Sequence, residues 1–338
     1  MTTLLSVRAG EGSVDRASAG WPARLHVITG KGGTGKTTVA AALALALAAG
    51  GRRTLLVEVE SRQGIAQLFG TEPLPYEERP IATAPGGGEV RALAVDPEEA
   101  LLEYLDMFYK LGAAGRALRK LGAIDFATTI APGLRDVLLT GKVKEATTRT
   151  VNKRRVYDAV VLDAPPTGRI GRFLNVTAET ARLAKVGPIK TQSEGVAALL
   201  RSPITAVHVV TLLEEMPIQE TIDAIGDLNT LGIPVGRVIV NATRPPLMAG
   251  KVSQAELRRG LAAAGLPTDR ATVAGLHAEA RDELTRRDLE ESLRGDLVEL
   301  GLPLVELPLL AEGVDRAGLD GIADTLLGGS GRADPTDD

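Results

Sequence analysis

Cysteine is absent from this 338-residue sequence, and aromatic residues make up only 3% of it. Without thiolates the chain can form neither disulfides nor the cysteine-ligated sites of zinc and iron–sulfur clusters. The three histidines, His26, His208 and His277, lie far apart and lack the spacing of metal ligands, so no zinc site is expected. Because 44% of the residues are nevertheless hydrophobic, the core has to be built mainly from Ala, Val, Leu and Ile.

A large excess of one charge and an apolar run of membrane length are missing as well. The formal net charge is −4, which offers no broad basic surface to nucleic acid. The longest apolar run, 39–49, is too short to span a bilayer, and residues 1–20 lack the apolar segment of a signal peptide. These absences predict a soluble, cytoplasmic protein without a nucleic-acid partner. They also leave 21–328 as one predicted domain between two flexible tails, 1–20 and 329–338.

A glycine-rich loop between an apolar strand and an Ala/Leu-rich helix is the strongest motif that the sequence contains. Residues 26–39 read HVITGKGGTGKTTV and fit the phosphate-loop pattern G-x-x-x-x-G-K-[ST]. Glycines let the backbone N–H groups surround a phosphate, and the N-terminus of the following helix favours the same anion. In this pattern Lys36 contacts the β- and γ-phosphates and the Thr37 hydroxyl binds Mg²⁺. The predicted phosphate-binding residues are Gly30, Lys31, Gly32, Gly33, Thr34, Gly35, Lys36, Thr37 and Thr38.

The same glycines also satisfy the dinucleotide-binding pattern G-x-G-x-x-G, which is the main alternative. Gly30, Gly32 and Gly35 occupy its fixed positions, and Glu58 or Glu60 follows at a distance that suits a ribose contact. The residues after the last glycine favour a triphosphate, because a dinucleotide turn needs neither a lysine nor a magnesium-binding hydroxyl there.

Continuous apolar strands alternate with helices along the chain. Besides the strand before the glycine loop, strands are predicted at 54–59, 90–95, 156–163, 206–212, 236–240 and 304–307, and 70–88 is predicted to be a loop. Helices are predicted at 36–49, 61–69, 217–231, 252–300 and 315–327, within 97–147, and from the end of the 156–163 strand to about 200. This alternation predicts an α/β fold with a mostly parallel sheet, helices on both faces and a helical subdomain at 97–147.

Several polar residues follow the predicted strands, and ligands of parallel sheets bind at the carboxyl ends of strands. Besides the glycine loop, these residues are Glu60, Asp163, Glu214 and Asn241. Asp163 closes an apolar strand, where a phosphate-loop enzyme places the carboxylate that holds magnesium. The alternative is that Asp163 caps a helix ahead of two prolines. If it binds magnesium, 164–168 is a switch loop whose Gly168 N–H contacts the γ-phosphate.

These motifs resemble those of the arsenite-pump ATPases (ArsA) and the guided-entry ATPases that target tail-anchored proteins. Residues 30–38 resemble the deviant phosphate loop of that family, in which a second, signature lysine stands at the position of Lys31. Residues 163–174, DAPPTGRIGRFL, are similar to the family's switch II, D-T-A-P-T-G-H-T-L-R-F-L. Further similar stretches are 130–133, 214–221, 238–241 and 308–310. The resemblance covers about 24–328, and the wording is closest to actinobacterial members, which often pair unlike subunits.

The resemblance implies a Mg²⁺-dependent ATPase with a SIMIBI-type phosphate-loop fold. The family forms dimers with ATP at the interface, so this chain is expected to form a homodimer or a heterodimer with a homologous ATPase subunit. Closure of the dimer would be coupled to a hydrophobic protein client or a membrane-associated partner. Lys31 would reach the partner's phosphates and add to catalysis, as an arginine finger does. Asn241 would recognise adenine, Pro308 and Leu309 would lie against the base, and Glu214 would support the nucleotide from the dimer face.

The sequence departs from the family pattern in switch I and switch II. The family's switch I reads D-P-A-H-N-L and its Asp orients the attacking water, whereas Glu60 begins the corresponding stretch ESRQGI here. The longer side chain displaces the carboxylate by about 1 Å, so we expect Glu60 to orient the water and hydrolysis to be slow. Arg169 replaces a histidine of switch II. A methionine-rich client-binding insertion is missing, which leaves 97–147 either as an apolar client groove or as ordinary core.

Three other functions compete with this interpretation. One is a nucleotide-gated binding module with little hydrolysis, and another is a relative of the partition and division-site ATPases. Membrane-positioning members of the latter group end in a basic amphipathic helix, whereas this sequence ends in Asp-Pro-Thr-Asp-Asp. Arsenite transport is disfavoured, because the pump ATPase binds its metalloid through cysteines.

Overall fold

A computed structural model describes residues 20–60, 62–109, 132–175 and 187–328. The predicted tails apart from Gly20, the middle of the predicted helical subdomain and the first half of the stretch at 130–133 lie outside these described residues. Ser61 of switch I and the segment 176–186 also lie outside them. The division of the chain into one domain and two tails therefore stays a prediction.

An eight-stranded sheet forms the centre of the fold. Its strands are β1 (Leu25–Gly30), β2 (Arg53–Glu58), β3 (Arg79–Ala84), β4 (Gly88–Ala94), β7 (Ala159–Asp163), β8 (Thr205–Thr211), β9 (Val235–Thr243) and β10 (Leu304–Pro308). A separate hairpin consists of β5 (Thr150–Val151) and β6 (Arg154–Arg155). The strand order in the large sheet is β10-β9-β8-β1-β7-β2-β4-β3, and every neighbouring pair is parallel except β3 with β4.

Helices cover both faces of the sheet. They are α1 (Lys36–Ala48), α2 (Gly64–Phe69), α3 (Pro97–Tyr109), α4 (Pro132–Thr148), α5 (Thr167–Leu174), α6 (Pro188–Leu200), α7 (Glu215–Thr230), α8 (Gln254–Ala263), α9 (Arg270–Glu299) and α10 (Arg316–Leu326). One buried cluster joins the sheet to α1 and α10, and another joins its opposite face to α3 to α7. Neighbouring residues of β1 alternate between them, with Val27 in the second cluster and Ile28 in the first. The predicted α/β fold, a mostly parallel sheet flanked by helices, is confirmed.

Three local predictions were wrong. The predicted loop 70–88 contains β3, an antiparallel strand at the edge of the sheet, where Pro80 is tolerated because an edge strand needs fewer ladder hydrogen bonds. The strand predicted to start at residue 156 starts at Ala159, since the two arginines before it pair in the β5–β6 hairpin. Asn241 lies inside β9, which continues to Thr243, rather than after its end.

The pair α8 and α9 buries little of its surface. No residue of α8 is buried, and the 30 residues of α9, about 45 Å of helix, bury only Val273, Leu293 and Leu297. Both helices begin with side-chain caps: Ser253 and Glu256 form a capping box, and Asp269 accepts two backbone N–H bonds. Local capping therefore supports this pair where core packing is sparse. Among the described residues, no helix combines the length and apolar character needed to cross a bilayer.

Trp21, the single tryptophan of the sequence, connects the start of the described domain to its last helix. Its indole Nε1 donates a hydrogen bond to the carbonyl of Leu326 at the end of α10, at 2.8 Å. The indole also packs edge-on against the rings of His26 and His208, and the Arg237 guanidinium lies 4.7 Å from its centre. The tryptophan thus fills the space between β1, β8 and β9.

Candidate nucleotide-binding site

The phosphate loop lies between β1 and α1 at the carboxyl edge of the sheet. All six residues of β1 are buried, and the loop turns through the positive φ angles of Gly30, Gly33 and Gly35. A Cβ atom on Gly30 would lie 2.1 Å from the carbonyl oxygen of Val210, and one on Gly35 would lie 2.3 Å from Asn241 Nδ2. Two of the predicted glycines are therefore required by the close approach of β8 and β9, besides any phosphate.

The other loop glycines face open space. A Cβ atom on Gly32 or Gly33 would meet no atom of the described residues within 4 Å. Thr34 closes the loop by donating its hydroxyl to the carbonyl of Lys31 at 2.9 Å. Asn241 Nδ2 donates to the carbonyl of Thr34, also at 2.9 Å, so this predicted adenine-binding residue holds the loop in the structure.

Thr37 and Asp163, the predicted magnesium ligands, are in contact. The Thr37 hydroxyl donates to Asp163 Oδ2 at 2.7 Å, since β7 pairs with β1 and brings its last residue beside the start of α1. The other carboxylate oxygen, Oδ1, is buried and has no hydrogen-bond partner among the described residues. Burial raises the pKa of Asp163 to about 6, against the Thr37 hydrogen bond and the charge of Lys36. A buried, unpartnered carboxylate oxygen beside a threonine hydroxyl is a donor set that suits Mg²⁺.

Lys36 lies in the same enclosed region and is only 8% exposed. Burial lowers the pKa of its ammonium group, whereas the carboxylates of Asp163 and Glu60 raise it. Thr38 follows as the third residue of α1 and is half-buried. A lysine in this position brings a positive charge to the loop where a phosphate chain would lie.

Glu58 is a buried acid that the sequence analysis considered only as a ribose ligand of a dinucleotide. It is the last residue of β2, 2% exposed, and in register with Asp163 on the neighbouring strand. Its Oε2 accepts a hydrogen bond from the Ile65 N–H at 3.3 Å, and its Oε1 is buried without a partner within the described ranges. An acid in the otherwise apolar stretch 54–59 is the signal that would have drawn attention to it.

Glu60 lies between two arginines from the two switch segments. Its carboxylate is 3.8 Å from Arg62 Nη2 and 3.6 Å from Arg169 Nη1, and its side chain is 16% exposed. These residues line a cavity of about 170 Å³ together with Pro165. Gly168, on the first turn of α5, is exposed. The replacement of the family's histidine by Arg169 therefore supplies an ion pair between switch I and switch II.

Lys31 pairs with an acid of its own chain, Glu220, for which the sequence predicted no role. Its Nζ lies 2.7 Å from Oε1 of Glu220 on α7. The Thr167 hydroxyl, at the start of α5, donates to the other oxygen of Glu220 at 2.9 Å. Thr29 adds a further link, because its hydroxyl donates to the carbonyl of Pro165 at 2.7 Å. Glu220 lies within the family-like stretch 214–221, but nothing local in the sequence distinguishes it from its neighbours.

The remaining predicted nucleotide contacts lie at the same edge of the sheet. Glu214 precedes α7 and is exposed, and Pro308 at the end of β10 is exposed as well. Leu309 is 45% exposed, and its N–H donates to the carbonyl of Thr243 at 2.9 Å. The order β10-β9-β8-β1 places these residues along one side of the phosphate loop. Their contacts with a nucleotide stay predictions.

The fold and this site define a phosphate-loop nucleotide hydrolase. A glycine loop follows the central parallel strand β1, and an acid ends the adjacent strand β7 beside the threonine of the loop. A sequence profile described as "Anion-transporting ATPase" matches residues 23–197. The chain belongs to this ArsA-type ATPase family and is an ATP-hydrolysing enzyme. The family resemblance seen in the motifs is confirmed, and the dinucleotide alternative is excluded.

Relatives of similar length include ATPases from bacteria and yeasts. The chain is 54% identical over 325 residues to the ATPase BagA of Mycobacterium tuberculosis, covering 92% of this chain and 96% of that protein. It is 25% identical over 249 residues to the ATPase GET3 of Kluyveromyces lactis, covering 63% and 70%. It is 28% identical over 176 residues to the ATPase get3 of Schizosaccharomyces japonicus, covering 50% and 51%.

Proposed function

We propose that this ATPase is a Mg²⁺-dependent, dimeric nucleotide switch that couples ATP binding and hydrolysis to a protein client or a membrane-associated partner. The observation that carries the proposal is the contact of Thr37 with Asp163 beside Lys36, with one oxygen of Asp163 buried and unpartnered within the described ranges. That arrangement suits a triphosphate with bound magnesium. A loop that bound phosphate without a metal would gain nothing from the buried carboxylate.

Within this proposal, the loop amides and Lys36 bind the phosphate chain. Thr37 and Asp163 would hold the metal, which would supply positive charge to neutralise the negative charge that develops on the phosphates. The N–H of Gly168 contacts the γ-phosphate. Asn241 recognises adenine, Pro308 and Leu309 pack against the base, and Glu214 supports the nucleotide from the dimer face.

Glu60 is proposed to orient the water that attacks the γ-phosphorus. Attack forms a new P–O bond, breaks the bond to the bridging oxygen of the β-phosphate and releases ADP and phosphate. The ion pairs with Arg62 and Arg169 restrict the carboxylate, which supports slow turnover. The same contacts favour a second candidate, a nucleotide-gated binding module in which partner binding matters more than turnover.

The dimer is proposed to form across the edge of the sheet that carries the phosphate loop. Lys31 is partly exposed there and is proposed to contact the phosphates bound by the partner subunit. Met216 and Leu309, which are 62% and 45% exposed, lie at the same carboxyl edge. Burying them against a second ATPase subunit, identical or homologous, would remove apolar surface from water.

A protein client is proposed to bind on the helical face. The helices α3, α4 and α6 border a cavity of about 340 Å³, lined in part by Ala100, Tyr104 and Leu138. This cavity supports the hypothesis of an apolar client groove within 97–147. No zinc and no nucleic acid take part in the proposal.

Turnover and sedimentation velocity, measured with ATP and either Mg²⁺ or EDTA, test the proposal. We expect Glu60→Gln to lower kcat about 10²-fold with nucleotide affinity retained, because the water loses its orienting carboxylate. Glu72→Gln, at an exposed loop position, is the matched control. Equal rates for Glu60→Gln and wild type would remove Glu60 from the mechanism.

The same measurements test the dimer. We expect Mg²⁺ and ATP to convert the Glu60→Gln protein to a dimer, alone or mixed with a homologous subunit, and Lys31→Ala to prevent it. Lys251→Ala, which removes an exposed lysine elsewhere, controls for the change of charge. A Lys31→Ala variant that dimerises and hydrolyses ATP like wild type would contradict the proposed role of this lysine. A turnover too low to detect in every mixture would favour the binding module.

A further inference from the structure

We propose that Glu220 is a positioning residue that holds Lys31 on its own subunit and connects it to switch II, residues 163–174, until the dimer closes. This inference rests on the proposed function, because it presupposes that Lys31 acts in the partner's site. It assigns a role to a residue outside the phosphate loop and outside both switch segments.

The geometry shows one carboxylate serving two separate segments. Glu220 Oε1 lies 2.7 Å from Lys31 Nζ in the phosphate loop, and Oε2 accepts the Thr167 hydroxyl at 2.9 Å. Both contacts lower the pKa of Glu220, the hydrogen bond from Lys31 most strongly, so the carboxylate is charged near neutral pH. A charged acid with both oxygens engaged restricts Lys31 and Thr167 at the same time.

The helix that carries Glu220 is firmly packed. Ile218 and Thr221, which precede and follow it on the helix, are only 2% and 1% exposed. The Thr221 hydroxyl donates a hydrogen bond to the carbonyl of Pro217. The carboxylate is therefore presented from a fixed backbone. The two segments that it contacts are, in contrast, the ones proposed to surround the γ-phosphate.

The contact with Lys31 is weak enough to be released. The side chains of Lys31 and Glu220 are 31% and 34% exposed, and ion pairs in contact with water contribute little to stability. An ammonium group has three donors, so Lys31 can approach a partner's phosphate before it leaves Glu220. A triphosphate carries more negative charge than one carboxylate, so it competes effectively with Glu220 for the ammonium group of Lys31.

Thr167 makes the contact between Glu220 and Lys31 depend on the nucleotide. It follows Asp163 by four residues and is the first residue of α5, so a shift of the loop between them moves its hydroxyl. Loss of that hydrogen bond removes one of the two contacts that fix the Glu220 carboxylate, so the carboxylate restricts the position of Lys31 less. Binding of the γ-phosphate at switch II would in this way loosen the restraint on Lys31 in the same subunit.

The direct test is the chemical reactivity of the Lys31 amine in the nucleotide-free, full-length protein. Limited acetylation with acetic anhydride, followed by mass spectrometry, measures it in wild type, Glu220→Gln and Glu220→Asp. We expect acetylation of Lys31 to rise about fivefold in Glu220→Gln and less in Glu220→Asp, which keeps the charge on a shorter side chain. Asp223→Asn is the matched control, since it makes the same change of charge at an exposed site on α7 and should leave Lys31 unchanged.

Dimerisation with a non-hydrolysable ATP analogue and Mg²⁺ provides the second readout. We expect the Glu220→Gln dimer to form at about tenfold lower protein concentration than wild type, because two such contacts no longer have to be broken. Unchanged Lys31 reactivity, or weaker dimerisation of Glu220→Gln, would overturn the proposal. If Lys31→Ala dimerises normally while the reactivity of Lys31 still depends on Glu220, the proposed function of Lys31 has failed and the contact with Glu220 is structural.

Discussion

At the scale of single residues, the glycines of the phosphate loop differ in what they do. Gly30 has a φ of 155°, and its missing side chain makes room for the carbonyl oxygen of Val210 on β8. Gly32 has no atom of the described residues near its Cβ position. The first glycine is therefore needed for the fold, and the second leaves space on the side where phosphate is proposed to bind.

This difference predicts that two alanine substitutions affect different properties, one the stability of the fold and the other the binding of ATP. We expect Gly30→Ala to lower the free energy of unfolding by about 2–4 kcal/mol, because the new methyl group would collide with backbone. Gly32→Ala, the matched control, should leave unfolding by urea within about 0.5 kcal/mol of wild type and weaken ATP binding. Equal stability of the two variants in urea would contradict this assignment.

Residue roles were predictable only where chemistry imposes a fixed spacing. The phosphate loop and Asp163 stood out because Lys36 and Thr37 must follow the glycines directly and an acid must end a buried strand. Glu220 lies 189 positions beyond Lys31 in the sequence, and only the packing of α7 beside the loop brings their side chains together. Glu58 was predicted only as a ribose ligand, because its neighbour in the site, Asp163, belongs to another strand.

At the scale of secondary-structure elements, a pair of histidines joins β1 to β8 inside the core. His26 Nδ1 and His208 Nε2 are 3.1 Å apart, and their rings stack at 5.3 Å between centres. Burial lowers the pKa of His26 to about 4, with Arg52 acting in the same direction and a backbone contact at Ala23 opposing it. Burial, and then the charges of His26 and Arg237, lower the pKa of His208 well below its usual value. Both rings are neutral in the folded protein at pH 7.

Acid should therefore unfold the protein through these two residues. Since a histidine that is harder to protonate when folded favours unfolding in acid, stability is complete above about pH 6.5 and falls towards pH 4. For His26 alone we expect a loss of about 2 kcal/mol between pH 7.5 and pH 5. Urea unfolding followed by the emission of Trp21, which packs against both rings, measures it.

The contribution of Asp163 to the pH dependence of stability has to be separated from that of the histidines. Its raised pKa has the opposite effect, because a carboxyl group that is easier to protonate when folded adds stability as the pH falls. The experiment is best done in the Asp163→Asn variant, with His277→Asn added as the control for replacing a histidine outside the buried pair. A free energy of unfolding that is flat between pH 7.5 and pH 5 would contradict the role of the buried pair.

Elements were predictable when they were buried on both faces, and edge elements were not. Strand β7 is a nearly continuous run of Ala, Val and Leu, and β1 and β8 bury their histidine and threonine residues together with Val, Ile and Leu, as two covered faces require. β3 pairs on one side only, and its proline and the glycines that follow gave the sequence of a loop. The hairpin at 150–155 is two residues long in each strand, too short for any alternation to show.

At the scale of the whole molecule, burial is very unevenly distributed. Every residue of β1 is buried, whereas α8 buries none and α9 is anchored by Leu293 and Leu297 near its end. Elements with few buried contacts open without global unfolding. The sparsely buried pair α8 and α9 and the sheet should therefore differ in how often their amides meet solvent.

Hydrogen–deuterium exchange with mass spectrometry measures that difference. We expect amides of α8 to exchange at least about 10³-fold faster than those of β1, after correction for the rates of an unfolded chain. Peptides from the carboxyl-terminal third of α9 should fall between the two. Equal protection of α8 and β1 would show that a partner or a second copy covers the helix pair in solution.

The overall architecture was predictable because the alternation of apolar strands and helices leaves few alternatives. Parallel strands require crossover helices, and the strand with the phosphate loop has to be central for β7 and β8 to flank it. The low burial of α8 and α9 was not predictable. Their polar sequences suit helices that lie against the sheet as well as helices that extend away from it. Capping by Ser253 and Asp269 is compatible with both.

The hydrogen bond of Trp21 to Leu326 brings together two points of the backbone that are 305 positions apart in sequence. A short glycine–serine linker could fuse those points, and new termini could be cut into the solvent-facing turn at 264–269 between α8 and α9. The resulting circular permutant would interrupt only the crossover between β9 and β10 and would keep the other crossovers of the sheet intact. It would also place a fluorophore or an affinity tag at the exposed turn between α8 and α9.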